Sequence, residues 1–168
     1  MTSRCRPNVA FALSLIGFGL AAWLTYGHYF DQKAIDTTCP LGGTSSLVSC
    51  AAVTTSSWSV IFGIPVALYG LAFFAAMLVL NLPRAWRSAS PLIAKGRLWL
   101  NVAGMGFVLY LVGVEFLAVH HICLYCTFVH LTQFILFLVV VTGWYDTGYA
   151  ASLDQDEGAD AARGSLVA

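Results

Sequence analysis

Charge disappears from this chain for long stretches. Between Arg6 and Asp31 lie 24 uncharged residues, between Asp36 and Arg84 lie 47, between Arg97 and Glu115 lie 17, and between Glu115 and Asp146 lie 30. A helix crosses the roughly 30 Å hydrocarbon core of a bilayer in about 20 residues. The gaps therefore predict four spans, at residues 9–30, 60–82, 98–119 and 124–145. The second gap is not all membrane, because residues 37–57 are too rich in Gly, Ser and Thr and read as a polar loop. The first span follows Arg4 and Arg6 as a signal sequence would, but its apolar stretch is long and no small-x-small cleavage site follows, so it reads as an uncleaved helix. No repeat, nucleotide fingerprint or Walker loop is visible.

Composition narrows the class. Of 168 residues 59% are hydrophobic and 10% charged, with zero formal net charge, far from a soluble domain. A disordered chain is excluded, and the absence of a basic block argues against nucleic acid as a partner. The expectation is an all-α integral membrane protein, a four-helix bundle over 9–145, with a cytoplasmic N-terminus at 1–8 and a disordered acidic cytoplasmic tail at 146–168. Seven of the eight basic residues (Arg4, Arg6, Arg84, Arg87, Lys95, Arg97, Arg163) fall on one side of this topology and Lys33 alone on the other. The positive-inside rule then places both termini in the cytoplasm of a multi-pass protein of the inner (plasma) membrane.

Four of the five cysteines share the extracytoplasmic side: Cys39 and Cys50 in the polar loop, and Cys123 and Cys126 as a CxxC where the fourth span begins. Cys5 lies on the cytoplasmic side and reads as inert. Three chemistries compete. Structural disulfides are common outside the cell, but a CxxC closes too small a ring to stabilise much. A metal site would join the CxxC to His120 and His121, leaving Cys39 and Cys50 unexplained. Redox chemistry uses all four, because a thiol at a helix N-terminus is stabilised as the reactive thiolate.

The fourth span adds a stripe. At about 100° per residue, Cys126, His130 and Gln133 lie within about 80° of Cys123 on one helical face, with His130 roughly 10 Å deeper. Such a stripe faces a bundle interior or a cavity rather than lipid. Hydrogen bonding between helices is the plainer role for Gln133, a ligand contact the stronger one for His130. Glu115, near the outer end of the third span, is expected to reach the interface; its functional alternative is a proton donor or a partner of His120.

In order along the chain come the loop cysteines, Ser49-Cys50-Ala51-Ala52-Val53, Ser56-Ser57-Trp58, Phe62-Gly63-Ile64-Pro65-Val66-Ala67-Leu68-Tyr69-Gly70 and Cys123-Leu124-Tyr125-Cys126. This series resembles the vitamin K epoxide reductase family, in its bacterial disulfide-forming branch, over residues 9–145. The resemblance implies a four-helix bundle around a quinone, ubiquinone or menaquinone, under a loop carrying shuttle cysteines. By position, Cys39 would take electrons from a partner dithiol, Cys50 would pass them to Cys123, and Cys126 would reduce the quinone. Ser56 matches a serine near the family's active site. Two positions depart from the animal enzymes: His130 stands where a tyrosine holds a quinone oxygen, and Ser59 replaces an asparagine of similar duty. Without a fused thioredoxin-like domain, the implied donor is a separate extracytoplasmic thioredoxin-fold (DsbA-like) thiol oxidase. The rival reading is a membrane scaffold or metal-handling protein with structural disulfides.

Overall fold

The computed structural model describes residues 5–39, 48–87 and 90–166, with side chains described as far as 146 except at 91. Along the chain come α1 (Arg6–Tyr29), α2 (Gln32–Thr38), α3 (Cys50–Thr54), a 3-10 turn at Ser57–Ser59, β1 (Val60–Ile61), β2 (Ile64–Pro65), α4 (Val66–Leu80) and α5 (Pro83–Trp86). Then follow α6 (Pro91–Val114), a π-helical turn at Glu115–Val119, and α7 (Leu124–Leu166). Gly42 and Gly43, expected to lend the polar loop its freedom, lie outside the described residues.

Among the described residues three helical segments are long and apolar enough to cross a membrane: Arg6–Tyr29, Leu92–Val119 and Leu124–Asp146. The fourth, α4, is shorter than the 60–82 span that the charge gap predicts. Its 15 residues reach only about 22 Å. The residues before it fold instead into a hairpin, with Ile61 opposite Ile64. The turn between them has Phe62 at φ 53° and Gly63 at φ 80°, the two positive dihedrals of a tight hairpin turn, which only glycine adopts without strain. Pro65 also keeps Ile64 out of helical geometry, so the helix begins at Val66. At the other end of the chain, 146–168 reads as a disordered tail by composition, yet the backbone stays helical through Leu166. Extending an existing helix through Ala, Leu, Gln and Glu needs no new nucleus.

The bundle buries several polar side chains within its apolar core and leaves many large apolar ones on its outer surface. Ser14, Asn81, Asn101, Gln133 and Glu115 are buried, whereas Leu15, Ile16, Trp99, Leu109, Leu117, Leu131 and Leu138 are exposed. Lipid accepts the apolar faces, and the amides find partners across helices. Asn81 Nδ2 donates to Ser14 Oγ (3.0 Å), and Gln133 Nε2 donates to Asn101 Oδ1 (3.0 Å). α1 packs on α4 and α7, and α6 on α7 and α4. At one end Arg6 pairs with Asp146, and Arg97 donates to the Leu80 carbonyl while stacking on Trp86. At the opposite end Leu24, Ile35, Cys39, Cys50 and Cys123 form a buried cluster.

The α1–α4 crossing depends on Gly17, where an added Cβ would lie 2.2 Å from the ring of buried Phe74. Gly17→Ala should cost about 1–3 kcal/mol by overpacking. Gly19→Ala, with nothing within 4 Å, is the control. A lowered melting midpoint in detergent for the first variant alone is the expected result; equal midpoints would contradict this packing.

Candidate active site

Short, capped segments bring the four cysteines together. The Ser49 side chain accepts from Ala52 N–H at 3.1 Å and so starts α3 with Cys50 in its first turn. Val48 bridges Ile122, and Ser49 N–H donates to the Ile122 carbonyl at 3.2 Å. Cys50 is thereby delivered to the segment that continues into Cys123. From the other side, Asp31 caps α2 through Ala34 N–H at 3.1 Å, and α2 ends at Cys39. The Tyr125 hydroxyl, between the two CxxC cysteines, donates to the Thr38 carbonyl at 2.7 Å and holds that end of α2 over them. Cys39 and Cys50 are disulfide-bonded, with Cα atoms 6.1 Å apart.

Cys123 and Cys126 are thiols in different surroundings. Cys123 is buried in the cluster that contains Cys39 and Cys50. Its thiol is held below the usual pKa by a hydrogen bond from the Cys126 thiol, helped by the Cys126 and Tyr125 backbone N–H groups and opposed by burial and by the Glu115 charge. The Cys126 N–H lies 3.3 Å from Cys123 Sγ, the helix-start contact that favours a thiolate. Cys126 instead lines a cavity of about 340 Å³ among α1, α3, α4, α6, α7 and the turns at 57–59 and 115–119. Cys126 also packs against that cluster, so the CxxC lies between the Cys39–Cys50 disulfide and the cavity.

The cavity wall is largely apolar, with Leu24, Val66, Phe73, Phe74, Leu100 and Phe107 among its residues. Cys126, His130 and Gln133 all line it, as their common helical face requires. Gln133 is 2% exposed; because its Nε2 is committed to Asn101, its buried Oε1 has no hydrogen-bond partner. Ser56 and Ser59 also line the cavity, but their hydroxyls donate to the Val53 and Ser56 carbonyls, each at 2.8 Å. They therefore offer acceptors rather than donors to anything bound there. Cys5 is exposed and belongs to the start of α1, away from the cysteine cluster. Among the described residues no three His, Cys, Asp or Glu side chains gather as a metal site.

The sequence model of the vitamin K epoxide reductase family matches residues 8–141. The chain belongs to that family. No curated protein matches it. Membership in the vitamin K epoxide reductase family makes the chain a helical membrane oxidoreductase acting on thiols, and the Cys39–Cys50 disulfide is a pair of the kind such chemistry uses. Within this family member, two contributors to the site were not singled out by the sequence reading. Tyr125 lies inside the CxxC, and its hydroxyl is what ties the motif to α2. Asn101, a lone amide in an apolar run, orients Gln133; a polar residue inside a span is itself a signal of helix pairing.

Proposed function

We propose that the protein is a quinone-dependent thiol oxidase of the plasma membrane, with both termini cytoplasmic. It reoxidises an extracytoplasmic thioredoxin-fold partner and passes two electrons to ubiquinone or menaquinone, supporting disulfide formation. The observation that carries this reading is the division of the CxxC, with Cys123 packed beside Cys39–Cys50 and Cys126 in the wall of an apolar cavity. The cavity volume lies in the range of small-molecule sites, and its few polar atoms suit a ring with oxygens at its ends.

The exchange begins when a thiolate of the partner attacks Cys39 and Cys50 leaves as a thiolate. The partner's second thiol then releases Cys39. Cys50 attacks Cys123, the Cys123–Cys126 bond breaks, and Cys39 re-forms its bond to Cys50. Each step needs only a thiolate aligned with a disulfide, and the lowered pKa makes Cys123 a good leaving group when Cys39 resolves the mixed disulfide. A bound quinone supplies the sink for two electrons and two protons. His130 would hold one of its oxygens as a donor, Gln133 Oε1 would accept from the hydroxyl of the reduced form, and Ser56 and Ser59 would add acceptors. The apolar wall excludes water, which strengthens each of these contacts.

Differential alkylation in cells tests the reading. Quinone depletion should leave Cys39, Cys50, Cys123 and Cys126 largely reduced, and in Cys50→Ala the Cys39 thiolate should open the disulfide of added oxidised partner, releasing one partner thiolate and leaving a mixed disulfide at Cys39. Pairs that stay fully oxidised under depletion would mark the chain as a scaffold with structural disulfides.

A further inference from the structure

Among the described residues, Asp31, Asp36 and Asp146 are exposed, while Glu115 is 6% exposed. It does not reach for the interface. Its carboxyl lies near the Cys123 backbone N–H, and its side chain lines the same cavity as Cys126 and His130. It also opens the π-helical turn Glu115–Val119, a local distortion of a kind frequent at functional sites. A carboxyl group buried at membrane depth beside two redox sulfurs calls for a chemical reason.

We propose that Glu115 is the proton carrier of the cavity, a carboxylic acid while the CxxC is reduced and a carboxylate while it is a disulfide. The inference rests on the reading of the cavity as the quinone site. Reduction of a quinone to a hydroquinone takes two electrons and two protons. In this proposal the reduced CxxC holds one S–H, because the Cys126 N–H, 3.3 Å from Cys123 Sγ at the helix start, favours a Cys123 thiolate beside the Cys126 thiol. It supplies both electrons but only one proton. A thiolate and a carboxylate in one apolar site repel, and a proton on Glu115 removes that repulsion; closing the disulfide removes the thiolate and lets the proton go.

The cycle balances. In the forward step the Cys123 thiolate and the Cys126 thiol join as a disulfide, two electrons pass to the quinone, and the Cys126 and Glu115 protons complete the hydroquinone, leaving Glu115 as carboxylate. In the reset, the Cys39 and Cys50 thiols become a disulfide. Their two electrons open the CxxC bond, and their two protons end on Cys126 and Glu115. No proton is drawn from solvent at the buried pair. The other titratable groups facing this space are Cys126 and His130 on α7, His28 on α1 and Tyr69 on α4, with Cys123 at the head of α7. Cys50, on α3, is in its disulfide.

The test is a quinone-free redox titration of the full chain in detergent between about pH 6 and 8, reading the Cys123–Cys126 peptide by differential alkylation and mass spectrometry. In the wild type the reduction equilibrium should change about a hundredfold per pH unit, close to 59 mV at about 29.6 mV per tenfold. In Glu115→Gln it should change about tenfold, one proton fewer. Glu115→Asp should keep the hundredfold dependence, and His130→Phe should keep it too. Equal slopes for wild type and Glu115→Gln overturn the proposal, as does loss of the second proton in His130→Phe instead. A wild-type slope of only tenfold overturns it even if Glu115→Gln fails to fold. Because no quinone is present, the expected slopes in a protein that never reduces quinone would sink the acceptor assignment and leave the proton carrier standing.

Discussion

Replacing Cys126 by alanine is expected to stop quinone reduction from every donor, while replacing Cys39 stops only the reaction that begins with the protein partner. The difference follows from where the sulfurs sit. Cys126 is the cysteine that lines the cavity, so no small dithiol bypasses it. Cys39 lies at the end of α2 on the far side of the CxxC, joined to Cys50 and held by the Tyr125–Thr38 hydrogen bond. A small dithiol that reaches Cys50 or Cys123 makes Cys39 dispensable, whereas a folded partner needs Cys39 as its point of attack. Quinone turnover with dithiothreitol and with a reduced thioredoxin-fold partner measures both arms. Equal loss of the two activities in Cys39→Ala would contradict the order of the relay.

His130→Phe is expected to lower quinone turnover by about 10²–10³, the equivalent of roughly 2.7–4 kcal/mol for one donor to a forming oxyanion in a water-poor site. His130 lies one turn below Cys126 in the same wall, where a ring close to the sulfur would place an oxygen. The loss should fall in kcat if the contact tightens in the transition state, and in KM if it is made equally to bound quinone. Exchange between Cys39–Cys50 and the partner should persist, since His130 is not part of that buried cluster. His130→Tyr, which restores a hydroxyl donor, should recover part of the rate. Wild-type kcat and KM in His130→Phe would make this residue packing and move the quinone elsewhere.

The sequence made some features legible and hid others for physical reasons. Gaps in charge located α1, α6 and α7 because lipid forbids unpaired charge whatever the details of packing. The helical stripe of Cys126, His130 and Gln133 was legible because helix geometry is fixed, and all three share one cavity. The shortened α4 was hidden, since Val60, Ile61 and Phe62 are as apolar as a helix; Gly63 and Pro65 were the available signal. Glu115 was expected at the interface because a regular helix carries no sign of the π turn that it opens. Ser56 and Ser59 matched family positions, but sequence does not tell which backbone carbonyls claim their hydroxyl protons.

The most direct measurement is a single-turnover titration of the purified, fully reduced protein with quinone under anaerobic conditions, counting thiols and quinone absorbance in the same sample. Two thiols should disappear for each quinone consumed, with Cys123 and Cys126 oxidised before Cys39 and Cys50, and Cys126→Ala should consume none. Quinone that remains unreduced while all four cysteines stay as thiols would contradict electron transfer from this CxxC to a membrane quinone.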